Sequence, residues 1–445
     1  MNVLHLLPRF RRAYRELKRL EEVEQCSRTE LAEIQLSRLN SVWEHAIHHV
    51  PYYRSLIEKY RIGKQFSSLE EFQEQVPLLP REEVQKHNAD FLSERPDRGW
   101  WCVTSGSTGT STRVHWGKES HLAMLRAKYR YYQMWDIDIF DPAIFLWSHA
   151  SETKRGWRGA VARLGRKAHD WLRRRIRFIP NQVSTPRLQQ CLQRMARFRP
   201  RWMYAYSSIA KMLAQVAIEQ QFRCDSLQWI CLSAEPSTSE MLQFLQKTFS
   251  VQVGVEYGAT ECGVLAGLWP DQTMRIRDDQ VILETVPTEN NQFAIAVTVL
   301  TNPSFPLIRY LLGDTTTQPI IHPVRGFSIL PGLIGRDHDY LVNSDGELIH
   351  GFFLDDLFEG KSEILCWQAY QHATGLVQVR LQARKSPGSS MIRSMFDELS
   401  RAMVEYPVDV QIVDQMPRTA AGKHRRITSE LYRSSKQRKG QPVLS

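Results

Sequence analysis

Residues 104–109 read Thr-Ser-Gly-Ser-Thr-Gly, four hydroxyl side chains and two glycines directly after the short apolar segment Trp101–Val103. Glycines here allow positive φ and close backbone approach, while amides and hydroxyls donate to phosphate oxygens, so the chemistry on offer is phosphate binding. The same composition also makes an ordinary flexible turn. No Gly-Lys-Ser or Gly-Lys-Thr closes the run, which separates it from the P-loop pattern. Three later segments carry further polar chemistry. Tyr257-Gly258-Ala259-Thr260-Glu261 places a ring, a hydroxyl and a carboxylate within five residues, Gly313-Asp314 follows Ile308–Tyr310, and Lys423 ends the glycine-containing run Pro417–Lys423. Singly, these read as a turn glutamate, a Gly-Asp turn and one exposed lysine beside His424, Arg425 and Arg426.

Such groups need elements to hold them. Residues 9–25 read as a basic helix, and Leu39, Trp43, Ala46, Ile47 and Val50 recur at helical spacing before Pro51. Both helices read as scaffold. From about residue 100, short apolar runs such as Trp229–Leu232 and Ala294–Leu300 alternate with helical patterns and glycine-containing turns, which predicts α/β layers. A boundary is expected after Pro331–Gly335, where Arg336, Asp337 and Asp339 follow, dividing the chain into 1–335 and a small α+β unit at 336–445.

Composition bounds the partners. The chain has 445 residues, 42% of them apolar, enough for a substantial core. Its net charge of +10 favours an anionic partner: nucleotide, CoA, nucleic acid or lipid headgroups. Ten of the basic residues fall between Lys154 and Arg177 against a single acid, Asp170. Such a run is ordinarily a solvated face, and it is also what a phosphate or membrane surface attracts. Seven scattered cysteines form no CxxC pair and no Cys/His ligand spacing, so neither a disulfide framework nor a zinc site is expected. Met1–Leu7 is too short for a signal core and no apolar run approaches the ~20 residues of a membrane span, so a cytoplasmic location is expected.

Together the motifs carry a family resemblance. Thr104–Thr112 resembles the phosphate loop of AMP-forming, adenylate-forming enzymes, and Tyr257–Glu261 their aromatic-Gly-x-Thr-Glu motif. Ile308–Asp314 is similar to the segment ending in their ribose-binding aspartate, Gly335–Asp339 to their hinge, and Pro417–Lys423 to their catalytic-lysine loop. All five occur in the family's order. Three details point to the branch of phenylacetate-CoA ligases and capsular-polysaccharide CapK-like proteins: Thr112 where many acyl-CoA synthetases carry lysine, Ser-Ala-Glu-Pro at 233–236, and Val-Pro-Tyr-Tyr-Arg at 50–54.

The resemblance implies a large multi-layer α/β N-terminal domain of the acyl-adenylate synthetase type and a smaller, mobile α+β C-terminal lid. It implies ATP and Mg²⁺, a carboxylic acid substrate and CoA as acceptor. By resemblance, Lys423 and Thr260 serve the α-phosphate, Glu261 holds Mg²⁺, and Thr104, Ser105, Gly106, Ser107, Thr108 and Gly109 wrap phosphate. Tyr257 and Gly258 flank the adenine with Glu235 and Pro236, Asp314 accepts the ribose hydroxyls, and Arg336 lies near the ribose. An acyl pocket drawn from Tyr129, Tyr131, Tyr132, Trp135, Tyr204 and Tyr206 would suit an aromatic acid, although rings at helical spacing also build core. Leu311 and Leu312 replace the usual Arg-Thr pair, and Gly267–Arg277 contains neither Cys nor His, so no structural metal is expected. No nucleic acid partner is expected. A peripheral membrane contact through the basic segments remains open, as do transfer to a non-CoA acceptor in polysaccharide synthesis and a non-catalytic binding protein.

Overall fold

In the computed structural model of the chain, the described residues are 18, 20–103, 112–138, 140–147, 164–165, 167–168, 170–178, 185–288, 291–336, 340–358, 363–383, 389–417 and 426–432. The side chains of a few strand and helix residues, Arg336 among them, lie outside that set. Contacts divide the chain into two compact units, Met1–Ile139 with Gly254–Gly335, and Phe140–Val253 with Arg336–Val443. The mixed α/β character implied above is observed. Among the described residues no helix is long and apolar enough to cross a membrane.

The first unit opens on helix α1 (Arg28–His49). Its start is a capping box in which Ser27 Oγ accepts from the Glu30 amide and the Glu30 carboxylate accepts from the Ser27 amide at 2.7 Å. The predicted stripe is the buried face, with Leu39, Val42, Trp43, Ala46 and Ile47 in the core. Pro51 does more than stop it, since it opens α2 (Pro51–Tyr60) at the position where a missing N–H costs nothing. Most of the predicted helix at 9–25 lies outside the described residues. Two short helices follow, α3 (Leu69–Gln75) and α4 (Arg81–Lys86). Strands β1 (Gly99–Val103) and β2 (Arg113–Gly117) then pair antiparallel, and α5 (Lys118–Gln133) leaves β2 directly.

In the second unit, β3 (Ala143–Leu146), β4 (Arg175–Phe178), β5 (Trp202–Tyr206) and β6 (Trp229–Ser233) lie parallel in the order β4-β3-β5-β6. β5 and β6 are buried along their whole length, as expected of parallel strands covered on both faces. Their crossover helices are α6 (Thr185–Phe198), α7 (Ser207–Glu219) and α8 (Ser239–Phe249).

Strand β7 (Gln252–Ala259) carries the chain back into the first unit, where β8 (Gly263–Leu268) and β9 (Met274–Ile276) continue antiparallel. A second sheet follows in the order β10 (Val281–Pro287), β11 (Phe293–Val299), β12 (Tyr310–Thr316), β13 (Leu333–Arg336), with β10, β11 and β12 antiparallel. One core joins this sheet to α1 and α2 through Trp43, Tyr53, Phe91, Ile295, Phe305 and Tyr310. Each such buried side chain contributes roughly 1.5–3 kcal/mol of hydrophobic stabilisation. The C-terminal part of the second unit pairs β14 (Tyr340–Val342) with β15 (Leu348–His350), then adds α9 (Gly351–Phe358). It ends in a sheet ordered β18-β17-β16-β19, built from β16 (Ile364–Gln371), β17 (Val377–Ala383), β18 (Val408–Val413) and β19 (Ile427–Ser429), with α10 (Ser389–Met403) packed on it through Met395, Leu399 and Met403.

Candidate functional site

The segment Tyr257–Glu261 is the end of β7 and its turn into β8. Ala259 pairs with Gly263, and the Cys262 amide donates to the Ala259 carbonyl at 3.2 Å, so Thr260 and Glu261 occupy the two central positions of a tight turn. A side chain at 258 has no room: a Cβ there would sit 2.3 Å from the Gly263 carbonyl oxygen, which explains glycine in the motif. Thr260 is exposed and Glu261 buried, so the turn presents a hydroxyl outward and a carboxylate inward. Trp116 of β2 anchors it, donating from Nε1 to the Thr260 carbonyl at 3.1 Å.

Asp314 owes its position to a bulge. Opposite β12, Ala294 pairs with Thr315 but Ala296 pairs with Leu311, so Leu312, Gly313 and Asp314 face the single residue Ile295. Gly313 takes φ +80, a value open to glycine at little cost, and the bulge re-aims Asp314 out of the ladder. Its Oδ2 accepts from the Tyr257 hydroxyl at 2.7 Å. The two motifs predicted to meet ribose and adenine therefore converge within the first unit. Leu311 and Leu312, which replace the usual Arg-Thr pair, are buried in apolar clusters, Leu311 with Ala294 and Ala296. Tyr53 supports the same segment from α2. Its hydroxyl donates to the Pro306 carbonyl at 3.0 Å and accepts from the Ile308 amide at 3.2 Å.

One site residue escaped the sequence reading. Arg81 Nη2 lies 3.0 Å from Glu261 Oε1, with each side chain only 7% exposed, and its Nε donates to Thr112 Oγ1 at 3.1 Å. Gln85, one turn along α4, also donates to Thr112 Oγ1 at 3.1 Å. The helix is placed by backbone pairing just before it. The Leu79 amide donates to the Arg309 carbonyl at 2.8 Å and the Leu311 amide to the Leu79 carbonyl at 2.9 Å, which fixes Pro80 and Arg81 beside β12. Arg81 thus supplies a buried cation next to Thr112, the position at which this chain has no lysine. No spacing signal could have found it, because its partners lie 31 and 180 residues away in sequence. The surroundings are electrostatically coupled. Burial, then the Glu261 charge, pushes the Cys262 thiol and the Tyr310 phenol well above their usual ranges, with Arg81 opposing in both.

Glu235 and Pro236 belong to the second unit, in the loop after β6. Ala234 stands at φ +67 there, a strained value for a non-glycine residue at the C-terminal end of a parallel strand, where α/β sheets bind ligands. Glu235 Oε2 accepts from the Ser208 amide at 2.8 Å and so caps α7; Pro236 is exposed. At the same strand ends Trp147 stacks on Tyr206 with centroids 4.1 Å apart and packs against Tyr204 at 4.9 Å. Of the other rings named for an acyl pocket, Tyr131 is committed to the first unit's core, its hydroxyl donating to the Leu268 carbonyl at 2.7 Å.

Thr104, Ser105, Gly106, Ser107, Thr108, Gly109 and Lys423 lie outside the described residues, as does the side chain of Arg336 at the end of β13. What is described is the frame: β1 and β2 pair as far as Val103 and Arg113, on either side of 104–111. The donor set can be tested against Mg²⁺. Among the described residues no three His, Cys, Asp or Glu side chains gather to hold a metal ion. Glu261 Oε1 is engaged by Arg81, so the carboxylate has only Oε2 to offer, which fits a cation that takes one or two protein oxygens and completes its shell with nucleotide phosphates and water.

A family model described as AMP-binding enzyme matches residues 174–295. The fold is that of a 2-hydroxyisobutyryl-CoA ligase solved in its postadenylation state with 2-HIB-AMP, at TM-score 0.72, 21% identity and 94% of each chain covered. The same ligase with 2-HIB-AMP and CoA in its thioesterification state gives TM-score 0.61 at 21% identity, again with 94% of each chain covered. McyG A-PCP with phenylalanyl-adenylate gives 0.52 at 14% identity, over 78% of this chain and 59% of that one. No curated protein sequence matches the chain. The chain thus matches an AMP-binding enzyme model over 174–295 and shares the fold of an acyl-CoA ligase.

Proposed function

We propose that the protein is an AMP-forming ligase of the phenylacetate-CoA-ligase-like branch, acting in the cytoplasm. It activates a carboxylic acid with ATP and passes the acyl group to CoA. A carboxylate oxygen attacks the α-phosphorus of ATP and pyrophosphate leaves; the CoA thiol then attacks the acyl carbon and AMP leaves. The observation that carries this reading is the Tyr257–Asp314 hydrogen bond at 2.7 Å, which joins two motifs 57 residues apart on one side of the first unit. With Tyr257 fixing one carboxylate oxygen, the other stays available to accept both ribose hydroxyls, work suited to a group with several acceptor sites and no donor.

The rest of the site follows from charge. Adenylation brings two anions together, so cations must hold them. Arg81 neutralises Glu261 at the base of the turn, and Thr260 faces outward as a donor to the α-phosphate. Mg²⁺ would be held by Glu261 on the protein side and supplies neutralisation of the triphosphate when bound. Lys423 is assigned the carboxylate and α-phosphate, an electrostatic clamp delivered by a C-terminal lid hinged near Arg336.

The test is carboxylate-dependent exchange of labelled pyrophosphate into ATP across a panel of acids. Exchange is expected with at least one aromatic or apolar acid, and Lys423→Ala should lower its rate by orders of magnitude. No exchange with any acid, together with no ATP binding by calorimetry, sinks the reading. Exchange without an acyl-CoA product would keep adenylation and reassign the acceptor to a sugar or carrier, the CapK-like alternative.

A further inference from the structure

The basic run Lys154–Arg177 has no part in the site described above, and its C-terminal half has an orientation the sequence does not disclose. Residues 164, 165, 167, 168 and 170–172 are helical. Leu164, Trp171 and Leu172, at i, i+7 and i+8, share one face of that helix and are 70%, 78% and 68% exposed. Among the described helical residues, Asp170 is the one that is buried. Asp170 is buried and paired with Arg177 of β4, Oδ2 to Nε at 2.5 Å and Oδ1 to Nη2 at 3.0 Å. Arg174, at φ +49, ends the helix. Its amide donates to the Trp171 carbonyl at 3.0 Å, and its carbonyl accepts from the Ala143 amide at 3.0 Å, so the turn is tied to β3. Lys167 and Arg174 are exposed beside the apolar face.

We propose that this helix docks the protein on an anionic lipid surface. Its exposed residues are what an interfacial helix needs: a tryptophan and two leucines to enter the acyl boundary, with Lys167 and Arg174 at headgroup level. Charge selects the occupant. Among the described residues, Lys167 and Arg174 stand exposed at the helix, and its one acid, Asp170, is neutralised by Arg177. Two copies of the face would repel across a twofold contact, and a nucleic acid offers the leucines no hydrocarbon. The Asp170–Arg177 pair and the β3 contact preset the helix, so docking need not order it first.

Vesicle co-sedimentation of the full chain tests this. Binding is expected to phosphatidylcholine vesicles doped with phosphatidylglycerol at low salt, weakening as salt rises, with little binding to pure phosphatidylcholine. Trp171→Glu/Leu172→Glu should lower the affinity about tenfold or more. Lys167→Glu/Arg174→Glu should lower it too and flatten its salt dependence, an independent measurement should the first variant fail to fold. No binding to the anionic vesicles overturns the proposal, as does binding undiminished in both variants. A shift from oligomer to monomer in Trp171→Glu/Leu172→Glu by analytical ultracentrifugation would reassign the face to self-association. Loss of RNA binding in that variant with vesicle binding intact would reassign it to nucleic acid.

Discussion

Arg81 and Glu261 are both nearly sealed from solvent, and a buried ion pair is worth little net while its rupture is costly, because the surviving charge has no water to turn to. Arg81→Gln is therefore expected to destabilise the protein by roughly 3–5 kcal/mol, with much of that recovered in Arg81→Gln/Glu261→Gln. Denaturant unfolding of the four proteins in the cycle measures it, and strictly additive losses would mean the two side chains do not depend on each other. Tyr257 is a milder case. Tyr257→Phe removes one hydrogen bond to Asp314 and keeps the ring, so ATP affinity should weaken by about 1 kcal/mol, roughly fivefold. An unchanged affinity by calorimetry would show that Asp314 holds its position without Tyr257.

Among the elements, β12 does the most to build the site, through its departure from regular pairing. The bulge at Leu312–Asp314 depends on Gly313 at φ +80, and an L side chain there costs on the order of 1–2 kcal/mol. Gly313→Ala should either strain or straighten the bulge. Both outcomes turn Asp314 away from its present direction, so the KM for ATP is expected to rise while the KM for the acid stays near wild type. Equal rises in both would locate the damage in general folding. The same strand pairs with Leu79 and so holds α4, and one irregular segment places both the Asp314 carboxylate and the Arg81 cation.

At the scale of the first unit, burial sets a pH dependence. Glu24 is buried against Arg277 at 3.4 Å and Arg130 at 3.0 Å, yet desolvation outweighs both cations and raises its pKa to about 7. Asp278, buried with its carboxylate accepting from the Ser328 amide, is raised to about 6 by the same cause. A folded-state pKa above the unfolded one means the native form holds the extra proton. The associated stability is complete below about pH 4, the unfolded carboxylate range, and is lost as pH rises through about 6 for Asp278 and about 7 for Glu24. For Glu24 the raised value corresponds to a few kcal/mol, by order of magnitude. The melting temperature should thus fall between pH 5 and pH 8 in part through this site, and Glu24→Gln should shrink that fall. An equal fall in the variant would remove Glu24 from the account.

Local chemistry was legible in the chain wherever it depends on near neighbours. The stripe of α1, the strands at Trp229–Leu232 and Ala294–Leu300, and the turn at Gly258–Glu261 follow from periodicity and from glycine's lack of a side chain, which any window of sequence displays. The motif order suggested nucleotide roles for Tyr257 and Asp314 separately, and their hydrogen bond was seen only in the fold. Only the tertiary structure decided which cation faces Glu261, that Glu235 caps α7, and that Leu164, Trp171 and Leu172 point outward. Each of these joins residues distant in sequence or depends on which face of an element is covered. Composition and spacing carry no information about that, since the covering surface comes from elsewhere in the fold.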